Sequence, residues 1–198
     1  MKTKMAKDNG KTGKRNGASV RMAEELELPA GVTATVTGRV ITLKGPKGEA
    51  SREIKEQNAF VTVEGGKVII SAAKAGKREK KILGSLRAHV LNIVRGVSEG
   101  HVYKLKVCFT HFPITVLVSG SQLLVKNFLG EKTPRKMSLS KDVKVKVEGA
   151  DIVVESASKE VAGQTAATIE QITKRANFDK RVFADGIYIT VKDGKDFK

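Results

Sequence analysis

One pattern is written twice in this chain, and it limits the folds available. VTVEGGKVIIS, Val61 to Ser71, returns as VKVEGADIVVE, Val145 to Glu155. Val61, Val63, Glu64 and Gly65 recur as Val145, Val147, Glu148 and Gly149, each 84 positions later. The repeat extends outward on both sides. Leu28-Pro29 is answered by Phe112-Pro113. VTATVTGRVITLKGPKGE (32–49), turning at Gly38, is answered by ITVLVSGSQLLVKNFLGE (114–131), turning at Gly120. In that stretch Gly38, Gly48 and Glu49 align with Gly120, Gly130 and Glu131 at an offset of 82. A recurring unit of this kind is one supersecondary motif used again. Each copy is near eighty residues, enough for a marginal core of its own.

The period inside each copy sets its elements. Apolar residues alternate through the hairpin segments, which predicts antiparallel strands with one apolar face and one wet face. Helical spacing follows in both copies. In 78–97, Ile82, Leu86, Val90, Ile93 and Val97 form a stripe, with Gly96 suited to a C-terminal end. In 158–173, Ser158 is placed to cap the helix, and Val161, Thr165, Ile169 and Ile172 line one face. The expected fold class is α+β. Two similar domains stand in tandem, each an antiparallel sheet of hairpins with one helix packed on it. The expected divisions are 1–22, a basic N-terminal extension; 23–98, the first domain; and 99–198, the second domain.

Charge narrows the partner. The 198 residues hold 37 Lys+Arg against 21 Asp+Glu, a net of +16. Such a field draws in polyanions. An acidic membrane surface is the weaker match, because a surface-lying helix needs a large apolar face with aromatic anchors. The chain has no Trp, its most basic segment is poor in apolar residues, and no apolar run reaches the ~18 residues of a membrane-spanning helix. The N-terminus carries no secretory pattern. One cysteine, Cys108, fits a reducing compartment. Residues 1–21 hold seven basic residues and one acid, Asp8. With almost nothing to bury, this tail cannot offset the entropy of ordering and is expected to be disordered unless bound.

Catalytic and metal chemistry find little support. Cys108, His101 and His111 are too few for a zinc site, and Cys108 and His111 point to opposite faces of a strand. GPKG (45–48) has the G-x-x-G form of a nucleic-acid clamp, but strands flank it and it reads as a β-turn. No phosphate-binding loop, dinucleotide fingerprint or HExxH is present. No metal or other cofactor and no small-molecule substrate are expected.

The basic clusters are the candidate sites. Lys77, Arg78, Lys80 and Lys81 open the first helix, the unfavourable end for cations, so a bound anion would relieve them. Lys126, Lys132, Arg135 and Lys136 surround a bend with Asn127 and Gly130, where backbone and amide can approach phosphate or ribose. Phe128 and Leu129 in that bend are expected to be buried. Lys174, Arg175, Lys180 and Arg181 surround one acid, Asp179, after the second helix. Lys11, Lys14 and Arg15 represent the tail. Irregular basic segments suit the shape and phosphates of a folded RNA, and no helix-turn-helix, zinc finger, basic zipper or RNP motif argues for DNA or a known RNA module.

At these residues the chain resembles a known family. LKGPKGE (43–49), HFPITV (111–116), NFLGEK (127–132), VEGADIVVES (147–156) and FADGIY (183–188) occur in the order seen in the universal large-subunit ribosomal protein six family, called nine in eukaryotes. NFLGEK and the DGIY ending are similar to its archaeal–eukaryotic branch. The resemblance runs from about Leu26 to Ile189. It implies two similar α+β domains and no catalytic role. It implies binding to large-subunit rRNA near the sarcin–ricin loop, chiefly through the second domain, within the cytoplasmic large ribosomal subunit. It further implies neighbouring ribosomal proteins including the stalk base, and translational GTPases docking nearby. The rRNA-contacting region it implies includes Lys174 to Gly186, helped by the NFLGEK bend. Eukaryotic members carry a tryptophan pair where this chain has Lys74-Ala75-Gly76, and the tail is longer than usual. A nucleic-acid chaperone or another RNA-binding factor on the same doubled domain is the alternative.

The tail is expected to act only through charge. Removing residues 2–21 should leave the melting temperature unchanged while flattening the salt dependence of RNA binding. Each lost phosphate contact changes the log–log slope by about 0.7–0.9. An unchanged slope in a salt titration would refute a phosphate-contacting tail.

Overall fold

The structure is a computed structural model that describes residues 22–56, 58–73, 76–179 and 181–197. The expected order of the tail, with Lys11, Lys14 and Arg15, and the position of Lys180 fall outside the described residues. The first half runs β1 (Met22–Glu27), β2 (Thr33–Thr37), β3 (Val40–Gly45), β4 (Gly48–Glu53), β5 (Ala59–Glu64), β6 (Lys67–Ala72), then α1 (Lys77–Ser98). The second runs β7 (His101–Cys108), β8 (Thr115–Ser119), β9 (Gln122–Lys126), β10 (Arg135–Ser138), β11 (Val143–Glu148), β12 (Asp151–Ser156) and α2 (Lys159–Ile172). Two further strands follow, β13 (Gly186–Lys192) and β14 (Lys195–Asp196).

The α+β doubling is present, and the hairpins of each half divide between two small antiparallel sheets. In the first half the sheet orders are β1-β6-β5 and β2-β3-β4. In the second, β10-β9-β8 repeats the latter, while β11-β12-β7-β13-β14 repeats the former and adds two strands beyond β7. Alternation explains each core. Ile41 and Leu43 of β3, Val68 and Ile70 of β6, and Leu83, Leu86, Val90 and Val97 of α1 are buried together. Leu105 and Val107 of β7, Leu123 and Val125 of β9, Ile152 and Val154 of β12, and Ile169 of α2 form the second core.

Three details differ from the sequence reading. Ile82 and Ile93 are only half-buried, and Leu83 takes the core position in α1. In α2 the innermost residues are Ala162, Thr165, Ala166 and Ile169, with Val161 and Ile172 at the margins, because small side chains let the helix lie close to β7. The alignment of Gly48-Glu49 with Gly130-Glu131 has no structural counterpart. Gly48 closes the two-residue turn between β3 and β4, where Gly45 pairs with Gly48, whereas Gly130 ends a single 3-10 turn, Phe128–Gly130, well before β10. GPKG is thus the plain turn its flanking strands predict.

The two halves meet at the C-terminal end of α1. The helix is terminated by Gly100 at φ +85, not by Gly96. Gly96 serves a close approach instead: a side-chain carbon there would lie 2.0 Å from the Ala157 carbonyl oxygen and 2.9 Å from the His101 ring. Beside it, Lys47 N–H donates to the Val97 carbonyl at 3.0 Å. His101 is fully buried, with Nε2 2.9 Å from the Asn92 carbonyl of α1 and Nδ1 2.7 Å from the Asp193 carboxylate of the second half. Lys159 reaches the other Asp193 oxygen at 2.9 Å. Burial acts to raise the pKa of Asp193, but hydrogen bonds from His101 and Lys159 outweigh it and hold the carboxyl below its usual range. Arg52 of β4 pairs across the joint with Glu160 of α2 and approaches His89 Nε2 at 3.1 Å.

Two glycines of α1 therefore respond oppositely to alanine. Helix propensity alone favours Ala over Gly by about 1 kcal/mol. Gly84 is exposed, with nothing within 4 Å of an added carbon, so Gly84→Ala should raise the melting temperature. At Gly96 the clash with backbone dominates, since overpacking costs about 1–3 kcal/mol, and Gly96→Ala should lower it by several degrees. Differential scanning calorimetry on the two variants checks the reversal of sign.

Candidate nucleic-acid interface

The connection from α2 to β13 has no equivalent in the first half, and the basic segment 174–181 lies on it. Its neck is closed by Thr173, whose hydroxyl donates to the Glu170 carbonyl at 3.0 Å and accepts the Ile187 N–H at 3.0 Å. Asp179 organises its turn. The Asp179 carbonyl accepts from Val182 and Phe183, and its carboxylate accepts the Arg181 N–H at 2.9 Å. Lys174, Arg175 and Arg181 remain exposed.

A buried carboxylate pins the far end of the loop. Asp185 accepts hydrogen bonds from the Thr110 and His111 backbone N–H groups, from the Thr110 hydroxyl at 3.1 Å, and pairs with His111 Nδ1 at 2.9 Å. Burial acts to raise its pKa, but these hydrogen bonds outweigh burial and keep the carboxyl below its ordinary value of 3.8. The knot joins the HFP and FADGIY segments, distant in sequence. Cys108, at the end of β7, opposes Gly186. No three His, Cys, Asp or Glu among the described residues are grouped to hold a metal ion.

The bend after β9 lies against the same loop. Asn127, Leu129 and Gly130 adopt positive φ, Gly130 at +77 beside the Phe112 ring. Phe128 is buried and Leu129 half-buried, as expected. Lys126, Lys132 and Lys136 project to solvent. Asn127 instead turns its amide to the Pro113 carbonyl at 3.1 Å. Arg135 is committed to the fold. It forms a two-point pair with Glu131 at 2.8 and 2.7 Å, donates to the Ile172 carbonyl, and stands 4.4 Å over the Phe128 ring. Hydrogen bonding to Arg135 chiefly holds Glu131 below the usual carboxylate range, against partial burial, with Arg175 adding to the effect. A hollow of about 270 Å³ is lined jointly by Phe128 and Leu129 of the bend and Lys174, Arg175 and Phe178 of the loop.

Aromatic rings on the loop are what sequence reasoning missed. Phe178 meets Phe183 edge to face at 5.2 Å, Phe183 lies 5.2 Å from His111, and the Arg175 guanidinium stands 4.3 Å over Phe178. Phe109, Phe112, Phe178 and Tyr188 are all exposed. Interleaved cations and rings were the available signal.

The remaining cluster is apart from these. Lys77, Arg78, Lys80 and Lys81 occupy the first turns of α1, all exposed, behind an N-cap, Gly76, that makes no side-chain cap. At ~1.5 Å per residue they stand roughly 22–29 Å along the helix from the joint at Gly96. The larger hollow between the halves has mixed sign, Lys47, Lys141 and Lys144 against Glu49 and Glu155, and does not suit a polyanion. No described helix is long and apolar enough to cross a membrane.

The family model described as Ribosomal protein L6 matches the chain twice, over residues 28–100 and 112–186. The chain belongs to the ribosomal protein L6 family. Its relatives include proteins named large ribosomal subunit protein uL6. That of Methanocella arvoryzae is 44% identical over 169 residues, 85% of this chain and 96% of that protein. That of Sulfurisphaera tokodaii is 41% identical over 176 residues, 88% of this chain and 95% of the relative. That of Saccharolobus solfataricus is 38% identical over 175 residues, again 88% of this chain and 97% of the relative. The L6 family is structural and non-enzymatic, and the archaeal relatives agree with the archaeal–eukaryotic character of NFLGEK and DGIY. Both matched segments end close to where the structure departs from the repeat: the first just past α1, the second at Gly186.

The Asp185 knot gives this L6 protein an acid-sensitive loop. Because the folded carboxyl lies below 3.8, its contribution is full above that value and fades as pH falls through the lower folded value. Asp185→Asn should cost about 1–3 kcal/mol near neutrality. The gap in melting temperature between wild type and variant should close as pH drops below about 4. A gap that stays constant into acid would show that the charge of Asp185 is not what holds the loop.

Proposed function

We propose that this chain is a structural constituent of the cytoplasmic large ribosomal subunit. In this reading it holds large-subunit rRNA near the sarcin–ricin loop, chiefly through its second half, beside the stalk-base proteins and close to where translational GTPases dock. The observation that carries the reading is convergence. The bend, through Phe128 and Leu129, and the loop, through Lys174, Arg175 and Phe178, meet at one hollow, and the same two segments carry the exposed cations Lys126, Lys132, Lys136 and Arg181. Cations supply the sequence-independent affinity, and rings and backbone suit the unpaired and irregular parts of a folded RNA. The names of the archaeal relatives point to the same subunit. The assigned roles follow exposure. Lys126, Lys132, Lys136, Lys174, Arg175 and Arg181 face phosphate, and Lys180 is assigned with them from the sequence alone. Asn127, Gly130 and Arg135 shape the bend. Lys77, Arg78, Lys80 and Lys81 make a separate contact with a different RNA segment.

Changing Lys174, Arg175, Lys180 and Arg181 together to Glu should remove most affinity for a transcribed rRNA fragment containing the sarcin–ricin region. The melting temperature should barely move, since the described members of this set are exposed. The same reversal at Lys77, Arg78, Lys80 and Lys81 should weaken binding to that fragment far less. Filter binding across a salt series, with circular dichroism on each variant, measures both. A folded loop variant that binds like wild type would overturn the assignment.

A further inference from the structure

The hollow beside the loop is furnished for more than phosphate. Its lining includes Phe178, Phe183 and Tyr188, the carboxylate-bearing Glu170 and the amide-bearing Gln171 of the last turn of α2, and Arg175. A phosphate pocket gains nothing from aromatic walls and is opposed by a carboxylate. A protein partner seated through apolar side chains gains nothing from the cations around it. A planar, uncharged heterocycle that carries an amine satisfies every wall. Its faces stack on rings and guanidinium. Its exocyclic amine donates to Glu170 or Gln171, as amines of bases do to Glu and Gln elsewhere. Its own phosphates meet Lys174 and the other exposed cations outside.

Size and rigidity point the same way. About 270 Å³ lies just under the ~300–1,000 Å³ of pockets for drug-sized ligands, room for one ring system rather than a run of nucleotides. The rings are already held. Tyr188 donates its hydroxyl to the Ala184 carbonyl at 3.0 Å, Phe178 is fixed edge-on against Phe183, and Arg175 covers it. A platform ordered in advance costs little to use. We propose that this cavity receives a single unstacked nucleobase of the bound RNA, one that carries an exocyclic amine: adenine, cytosine or guanine rather than uracil. The proposal rests on the RNA-binding reading above and adds a base-contacting site to it.

The test uses the full chain and the same rRNA fragment. Ultraviolet crosslinking followed by peptide mass spectrometry should join one amine-bearing nucleotide to the stretch that holds Phe178, Phe183 or Tyr188. Phe178→Leu keeps apolar bulk and loses the ring, so affinity should fall roughly 5- to 150-fold, the range of one lost stacking contact. The salt slope should not change, since no phosphate contact is removed. Phe178→Trp should restore binding, and circular dichroism should show all three proteins folded. Replacing Lys174 and Arg175 by Gln should lower the slope. The proposal is overturned if Phe178→Leu binds like wild type, if Phe178→Trp fails to restore what Leu loses, or if crosslinks fall only elsewhere or only on uracil. If the lysine–arginine variant changes the slope while Phe178→Leu is neutral, the RNA reading survives and the base site does not. If wild type fails to bind the fragment at all, both fall.

Discussion

Everything about the relation of the two halves turns on the approach of α1 to Ala157, which only a glycine at 96 permits. With the backbones in contact there, His101 is sealed between a carbonyl of one half and a carboxylate of the other. The Asn92 carbonyl can only accept, so Nε2 carries the hydrogen of that bond, while Nδ1 faces the Asp193 carboxylate. The buried ring thus ties the first-half helix to the β13–β14 turn through both of its nitrogens. Removing either acceptor would leave a buried polar group unpaired, which is costlier than losing an exposed hydrogen bond. Arg52, reaching from β4 to Glu160, adds a second tether on the surface. The joint between the tandem copies is made of close backbone packing and buried hydrogen bonds.

Duplication and function separate cleanly along the chain. The first copy closes β3 to β4 with a two-residue turn, while the second spends residues 127–134 between β9 and β10. The first copy leaves β1 as a sheet edge, while the second covers the matching β7 with β13, and the loop 174–185 is the price of reaching that edge. These two departures from the repeat are the two segments to which the proposed RNA contact is assigned. The repeated parts supply cores and the unrepeated parts supply chemistry, as expected when functional residues sit on loops held by a rigid scaffold.

That division also explains what could be read from the sequence. Period-two runs such as Val143–Glu148 and the capped helix from Ser158 were legible, because local pattern decides them. The splitting of each half into two sheets was not, since hairpin pattern does not say which strands share a ladder. Gly96 looked like a helix stop because its true reason, the Ala157 carbonyl, comes from the other domain. In the site, the basic residues were legible as charge. That Arg135 is consumed by Glu131, Phe128 and Ile172 was not, because the Ile172 carbonyl is far along the chain. The ring cluster of His111, Phe178 and Phe183 needed the Asp185 knot to bring its parts together.

The internal use of Arg135 bears on how the surface divides its work. Counting cations would assign it a phosphate, yet its three nitrogens already have partners, and moving it would unseat Phe128 and the end of α2 together. The free cations, Lys126, Lys132, Lys136, Lys174 and Arg181, are flexible point charges or exposed forks. They attract any phosphate chain and discriminate none. In the proposed reading discrimination falls to the groups that are held still: the Phe178 ring, fixed by Phe183 and Arg175, and the Tyr188 ring, tied to the Ala184 carbonyl. Arg135 would serve that recognition by securing the end of α2, which brings Glu170 and Gln171 to the same hollow.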